Sequence, residues 1–177
     1  MARHGEARRR PWRDDGLVHA RFIEGITIRA LRNGDVGTIA AVFDRLGPGS
    51  RVRRFCGAKP RLSDGELESL ALVDADHHVL VGFAPDDPAP VGLARLVRHG
   101  ASAEIAFEVA DDYQGLGVGG LLARTLAADA RAAGIAELTA TVCGDNPPAV
   151  SLLRSLTRSR RTTKQGWDRE FVVGLRG

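Results

Sequence analysis

Cysteine is scarce in this chain: only Cys56 and Cys143 are present, in unlike surroundings, and no CxxC or Cys/His cluster accompanies them. Two such residues do not suggest a disulfide framework or a zinc site, and a reducing, cytoplasmic setting fits best. Long apolar runs are absent too, with nothing approaching the roughly 20 residues of a membrane span. The first residues lack the apolar centre of a secretory signal, so an unexported protein with no membrane contact is expected. Lysine is nearly missing, since of 25 basic side chains only Lys59 and Lys164 are lysine. Codon usage in a GC-rich genome accounts for that ratio, and no chemistry follows from it.

The 177 residues, 44% of them hydrophobic, suffice for one domain with a single core. The net charge of +3 is unevenly placed, because Arg3, Arg8, Arg9, Arg10 and Arg13 crowd the start. A disordered, arginine-rich leader over residues 1–24 is therefore expected ahead of one domain over residues 25–177, and nucleic-acid binding, which would rest on the leader alone, is disfavoured. Period-two alternation over residues 26–31 predicts a first strand. Asn33-Gly34-Asp35 then starts a helix, Gly47-Pro48-Gly49 stops it, and residues 50–55 form a further arginine-rich helical turn. Ser63 and Glu66 form a capping box for a helix running to about residue 73. Strands over 78–83 and 90–98 flank a turn rich in proline and aspartate, and a third strand over 103–110 completes a meander. Residues 116–133 give an amphipathic helix closed by Gly134. A buried strand over 138–142, a helix opened by Asn146, and strands over 160–163 and 169–175 follow.

Four glycines crowd the junction between the third meander strand and the amphipathic helix: Gln114-Gly115-Leu116-Gly117-Val118-Gly119-Gly120. Glycines between a strand and a helix aim backbone N–H groups and the positive end of the helix dipole at one spot, which suits an anion. A dinucleotide fingerprint with Asp145 as ribose ligand matches the letters, but the meander precedes the junction and about 60 residues follow it. A triphosphate loop lacks its Lys-Ser or Lys-Thr. A glycine-rich turn serving close packing alone is the structural alternative.

The order of elements together with Gln-x-x-Gly-x-Gly at Gln114, Gly117 and Gly119 resembles the GNAT superfamily of acyl-coenzyme A-dependent N-acyltransferases, over residues 26–175. The resemblance implies an α/β (α+β) fold: a central mixed, mostly antiparallel sheet of six to seven strands, helices on both faces, and a splay between strands 4 and 5. It implies acetyl-CoA as cosubstrate and no metal. The loop amides of Gln114, Gly115, Leu116, Gly117, Val118 and Gly119 would hold the pyrophosphate, and Phe107 and Val109 would lie along the pantetheine arm and thioester. Asn146 matches a residue that contacts the arm, though Asn-Pro-Pro is also a good helix start. Tyr113 is read as packing.

Acyl transfer needs a neutral amine, and a lysine-like amine of pKa near 10.4 is neutral in only about one molecule in 2,500 at pH 7. A carboxylate must take the proton. Alternation puts Glu104, Ala106 and Glu108 on one strand face, with Ile105, Phe107 and Val109 on the other, and the two carboxylates about 13 Å apart. By resemblance to protein-lysine acetyltransferases Glu104 is the general base, with Glu108 second, unless a bulge reverses the faces. The family's tyrosine acid is replaced here by leucine, at Leu153, leaving water, Ser151, Ser155 or unassisted thiolate loss. Cys143 reads as a small buried apolar residue. Residues 50–55 with Leu62, Ser63, Glu66 and Leu67 resemble bacterial protein-lysine acetyltransferases, which places a protein lysine ahead of a small-molecule amine as acceptor. A catalytically weak acyl-CoA sensor is the third reading, and homodimerisation is left open.

Overall fold

The computed structural model describes residue 12, residues 25–156 and residues 160–175. Apart from Trp12, the arginine-rich leader lies outside the described residues. In chain order the elements are β1 (Thr27–Ala30), α1 (Val36–Asp44), α2 (Pro48–Phe55), α3 (Asp64–Leu70), β2 (His77–Phe83), β3 (Pro90–His99), β4 (Ser102–Val109), α4 (Val118–Ala132), β5 (Glu137–Cys143), α5 (Pro147–Leu156), β6 (Arg160–Gln165) and β7 (Asp168–Gly174). A short 3-10 turn, Asp111–Tyr113, lies between β4 and the glycine junction.

The seven strands form one sheet in the order β1-β2-β3-β4-β5-β7-β6. Neighbours are antiparallel except β4 and β5, which run parallel. The α4 crossover permits that parallel pairing, as a tight turn would not. The pairing covers only three steps, Ser102 with Glu137, Ala103 with Leu138 and Glu104 with Thr139, after which the strands part. This is the expected splay between strands 4 and 5.

One face of the sheet is covered by α4 and α5, and its core joins Leu80, Leu96, Ile105, Leu122, Leu126, Leu138, Leu153 and Val173. The smaller core on the other face joins Leu31, Ile39, Val42, Val79, Val81 and Leu93 beneath α1 and α3. Trp12 packs at the edge of the first, stacked on the buried ring of His78 at 4.8 Å, whose Nε2 lies 2.9 Å from Asp129 Oδ2.

The local signals hold with small changes of boundary. Asp35 caps α1 by accepting from Thr38 N at 3.0 Å. Ser63 and Glu66 close the capping box of α3 from both sides. That helix stops at Leu70, short of residue 73, because Gly34 N donates to Ala71 O and Val73 N donates to Asn33 Oδ1. Gly47-Pro48-Gly49, read as a stop, also starts the next helix: Pro48 opens α2, whose first-turn N–H groups need no intrahelical partner.

One expectation is corrected outright. Cys56 and Cys143 are not two isolated thiols but one disulfide, with Cα atoms 5.4 Å apart and 87 residues between them in sequence. The ends of α2 and β5 converge in space, which no local pattern announces. Among the described residues no helix is long and apolar enough to cross a membrane.

Candidate active site

The alternation of β4 carries through unbroken, since its register with β3 runs continuously from Ser102 to Val109. Ala103 and Ile105 are buried, and Phe107 and Val109 pack against the α4 core. Glu104 and Glu108 project from the opposite face, where their environments differ. Glu104 is exposed, and its side chain has no hydrogen bond or ion pair among the described residues. Glu108 is buried, and its Oε1 accepts from Arg54 Nε of α2 at 2.9 Å. Arg95, opposite Ala106, lies between them and donates to Ser69 O at 3.0 Å. Burial first, and the charge of Arg54 second, hold the Arg95 guanidinium below its usual range, while Glu104 and Glu108 pull the other way.

Beyond Val109 the chain makes its 3-10 turn and enters the glycine junction. Gly115 and Gly117 have φ of 77° and 88°, and a Cβ built on either would meet nothing within 4 Å. The backbone there takes the left-handed region that glycine favours and faces open space. Gly117 caps α4 without a side chain, so the first N–H groups of the helix have no capping partner. Val118 is 1% exposed, its side chain packed in the core, whereas Leu116 is 55% exposed. A Cβ on Gly119 would point toward Val109 and Leu152, at 3.6 and 3.8 Å.

Side chains from the α1–α2 corner brace this loop. Gln114 Nε2 lies 3.1 Å from each of Ser50 Oγ, Val109 O and Asp111 Oδ1. Gly47 N donates to Asp111 Oδ2 at 3.1 Å. Arg45 sits 2.8 Å from Asp87 and 3.3 Å from Asp112, with its guanidinium over the Tyr113 ring. Tyr113 thus packs, as expected, and its hydroxyl donates to Asp87 Oδ2 at 3.1 Å. Sequence reasoning missed Arg45 and Arg95 and, although it singled out residues 50–55, the pairings of Ser50 and Arg54, because each partner is remote along the chain.

On the far side of the gap, Asn146 Oδ1 accepts from Ala149 N at 3.2 Å, so the helix-start role of Asn146 is realised. Leu153, where the resemblance leads one to expect a tyrosine, is 2% exposed within the core. Ser155 Oγ donates to Leu152 O inside its own helix at 2.6 Å, and Ser151 is exposed.

A sheet parted between two parallel strands, with an uncapped helix N-terminus beside one of them, is the architecture of a coenzyme A-dependent acyltransferase domain. The acetyltransferase (GNAT) family model matches residues 50–156. The chain is 42% identical over 133 residues to acetyltransferase Pat of Mycolicibacterium smegmatis, a match covering 73% of this chain and 40% of the relative. It is 31% identical over 118 residues to acetyltransferase PA5475 of Pseudomonas aeruginosa, covering 64% of this chain and 63% of the relative. The GNAT domain of S. lividans PAT shares the fold with a TM-score of 0.76 at 22% identity, over 84% of this chain and 90% of that one. The chain belongs to the GNAT acetyltransferase family. It spans less than two thirds of the length of either curated relative.

Acetyl-CoA is the acyl donor of this family, and the residues present fit its anionic end. The open cradle at Gly115 and Gly117 and the uncapped start of α4 supply N–H donors and no competing acidic side chain within the loop itself.

Proposed function

We propose that the chain transfers an acetyl group from acetyl-CoA to a primary amine, and that the amine is a protein lysine. The observation that carries this reading is the early parting of β4 and β5 beside the uncapped N-terminus of α4. The backbone of residues 114–119 would hold the pyrophosphate, and Phe107, Val109 and Asn146 would line the pantetheine arm. When bound, acetyl-CoA supplies a thioester whose thiol, of pKa near 8.5, is a fair leaving group close to neutral pH. Glu104 takes the proton that the acceptor ammonium must lose. Its exposure supports that role, and the capture of Glu108 by Arg54 argues against Glu108. With Leu153 buried and Ser155 bonded within α5, neither supplies an acid, and the thiolate leaves unassisted or takes its proton from water or the exposed Ser151.

The lysine acceptor is supported by the likeness of residues 50–67 to protein-lysine acetyltransferases. The arginines of α2 lend little to an acidic small-molecule acceptor, because two of them are held internally. Arg51 donates to Pro60 O and Phe43 O, and Arg54 is paired with Glu108.

Thiol release from acetyl-CoA, followed over a panel of lysine peptides and small amines, tests the reading. Glu104→Gln should lower the rate near pH 7 by about 100-fold or more while acetyl-CoA affinity stays almost unchanged. Full activity in that variant, with loss in Glu108→Gln, would reverse the assignment of the base. Acetyl-CoA binding without thiol release across the panel would make the chain a sensor.

A further inference from the structure

Helix α2 reaches both lips of the gap between β4 and β5. Counting four residues on from the last paired step, Glu104 opposite Thr139, puts Glu108 and Cys143 at the same height on the two lips. Arg54 ties α2 to Glu108 at 2.9 Å, and Cys56, at the helix C-cap, is bonded to Cys143. The helix therefore lies across the gap near its open end, fastened to one lip by an ion pair and to the other by a covalent bond.

Two observations mark that bond as more than a fixed staple. Cys56 has φ 56°, and among the described residues it is the one non-glycine at positive φ. Glycine is the usual residue at such a helix end, and a side chain there costs roughly 1 kcal/mol, so the chain holds a strained position that places this sulfur beside Cys143. Cys56 is also exposed while Cys143 is 8% exposed, so the bond joins a residue open to solution to one that is buried. Exposed disulfides are the reducible, regulatory ones.

We propose that Cys56 and Cys143 form a reversible dithiol–disulfide site, oxidised by low-molecular-weight disulfides, whose bond straps α2 over the gap and slows coenzyme exchange. In the oxidation, the Cys56 thiolate attacks the small disulfide, forming a mixed disulfide and releasing one small thiol. Cys143 then attacks the Cys56 sulfur, forming the bond and releasing the second. Two protons and two electrons leave the protein and end on the two small thiols. The consequence for exchange rests on the coenzyme reading of the gap, whereas the thiol chemistry does not.

The test equilibrates the full chain in reduced and oxidised glutathione buffers. Intact mass after alkylation counts free thiols, and stopped-flow displacement gives the coenzyme A dissociation rate of each form. The proposal expects a reversible change between no free thiols and two, a folded reduced form by circular dichroism, and dissociation about tenfold slower in the oxidised form. Cys143→Ser should retain a mixed disulfide at Cys56 and lose the redox dependence of dissociation; if it fails to fold, Cys143→Ala serves the same purpose. Equal dissociation rates in the two forms, unfolding on reduction, or a bond that resists reduction would each overturn the proposal. So would tight zinc binding by the reduced protein that blocks oxidation, since Asp168 lies with the two sulfurs in a set of ligand atoms within 4.8 Å. If neither form binds acetyl-CoA, the functional reading fails and the claim for exchange fails with it, while the thiol count still reports on the redox pair by itself.

Discussion

Arg54 and Glu108 meet at 2.9 Å, with only 18% and 6% of their side chains exposed, and the pair joins α2 to the strand that carries Glu104. One geometry thus fixes the position of α2 and leaves Glu108 paired while Glu104 stays exposed. Removing a single partner of so buried a pair leaves the other charge uncompensated. Arg54→Ala is expected to destabilise the fold by about 3 kcal/mol. Glu108→Gln should cost less, since the amide oxygen can still accept from Arg54. A double-mutant cycle by urea unfolding reads the coupling, and additive losses would show that the pair is not interacting.

Two glycines near the gap make opposite predictions. A Cβ on Gly92 would sit 2.9 Å from the carbonyl oxygen of Glu108 and 3.1 Å from Leu122 Cδ1, and a backbone carbonyl cannot swing aside. Gly92→Ala should therefore lower stability by about 1–3 kcal/mol, an overpacking cost. On Gly119 the same methyl finds ordinary contacts and a helix that prefers alanine. Gly119→Ala should leave the melting temperature equal or higher, yet raise the KM for acetyl-CoA, because the methyl points toward Val109 on the lip of the gap. Melting curves and donor saturation curves separate the two, and a destabilised Gly119→Ala would contradict the packing described.

Acid sensitivity has a definite local source at α3. Glu66 is held at a pKa of about 2, against an ordinary 4.5, by Lys59 first and then by the backbone and hydroxyl of Ser63. A depressed carboxyl pKa in the folded state means that its contribution is complete above about pH 4.5 and is lost as the pH falls toward 2. Glu66→Gln should flatten that part of the stability profile and leave the profile above pH 5 parallel to the parent. Chemical unfolding at a series of pH values tests it, and an unchanged acid limb would mean that Lys59 and Ser63 do not hold the carboxylate.

The fold was legible where its causes were local. The alternation of β4, the glycines at 115–119 and the caps at Asp35 and Ser63 depend on residues a few positions apart, and each appears where the pattern put it. The site was legible as a strand and a loop but not as an assembly. Ser50 with Gln114, Arg54 with Glu108 and Cys56 with Cys143 are separated by 64, 54 and 87 residues, and their meeting follows from how α2 is laid across the sheet. Single-sequence patterns hold no trace of such a crossing. The end of α3 failed for the same reason on a smaller scale, because Asn33, from the turn before α1, captures Val73 N and halts the helix.

Because β4 and β5 are joined over only three residue pairs, the sheet is mechanically two leaves, one of four strands and one of three, sharing a short spine. A lever follows from that geometry. Val109 stands five residues beyond the spine, so a rotation of about 5° there moves this lip by roughly 1.5 Å at the usual rise per residue. Helix α4 rides on the larger leaf, α5 packs against β7 of the smaller, and the two helices touch each other. The α4–α5 seam bridges the two leaves on one side of the sheet, as α2 with its bonds to Glu108 and Cys143 does at the gap, and substitutions at that seam, well away from Glu104 and the glycines, are expected to change the width of the cleft.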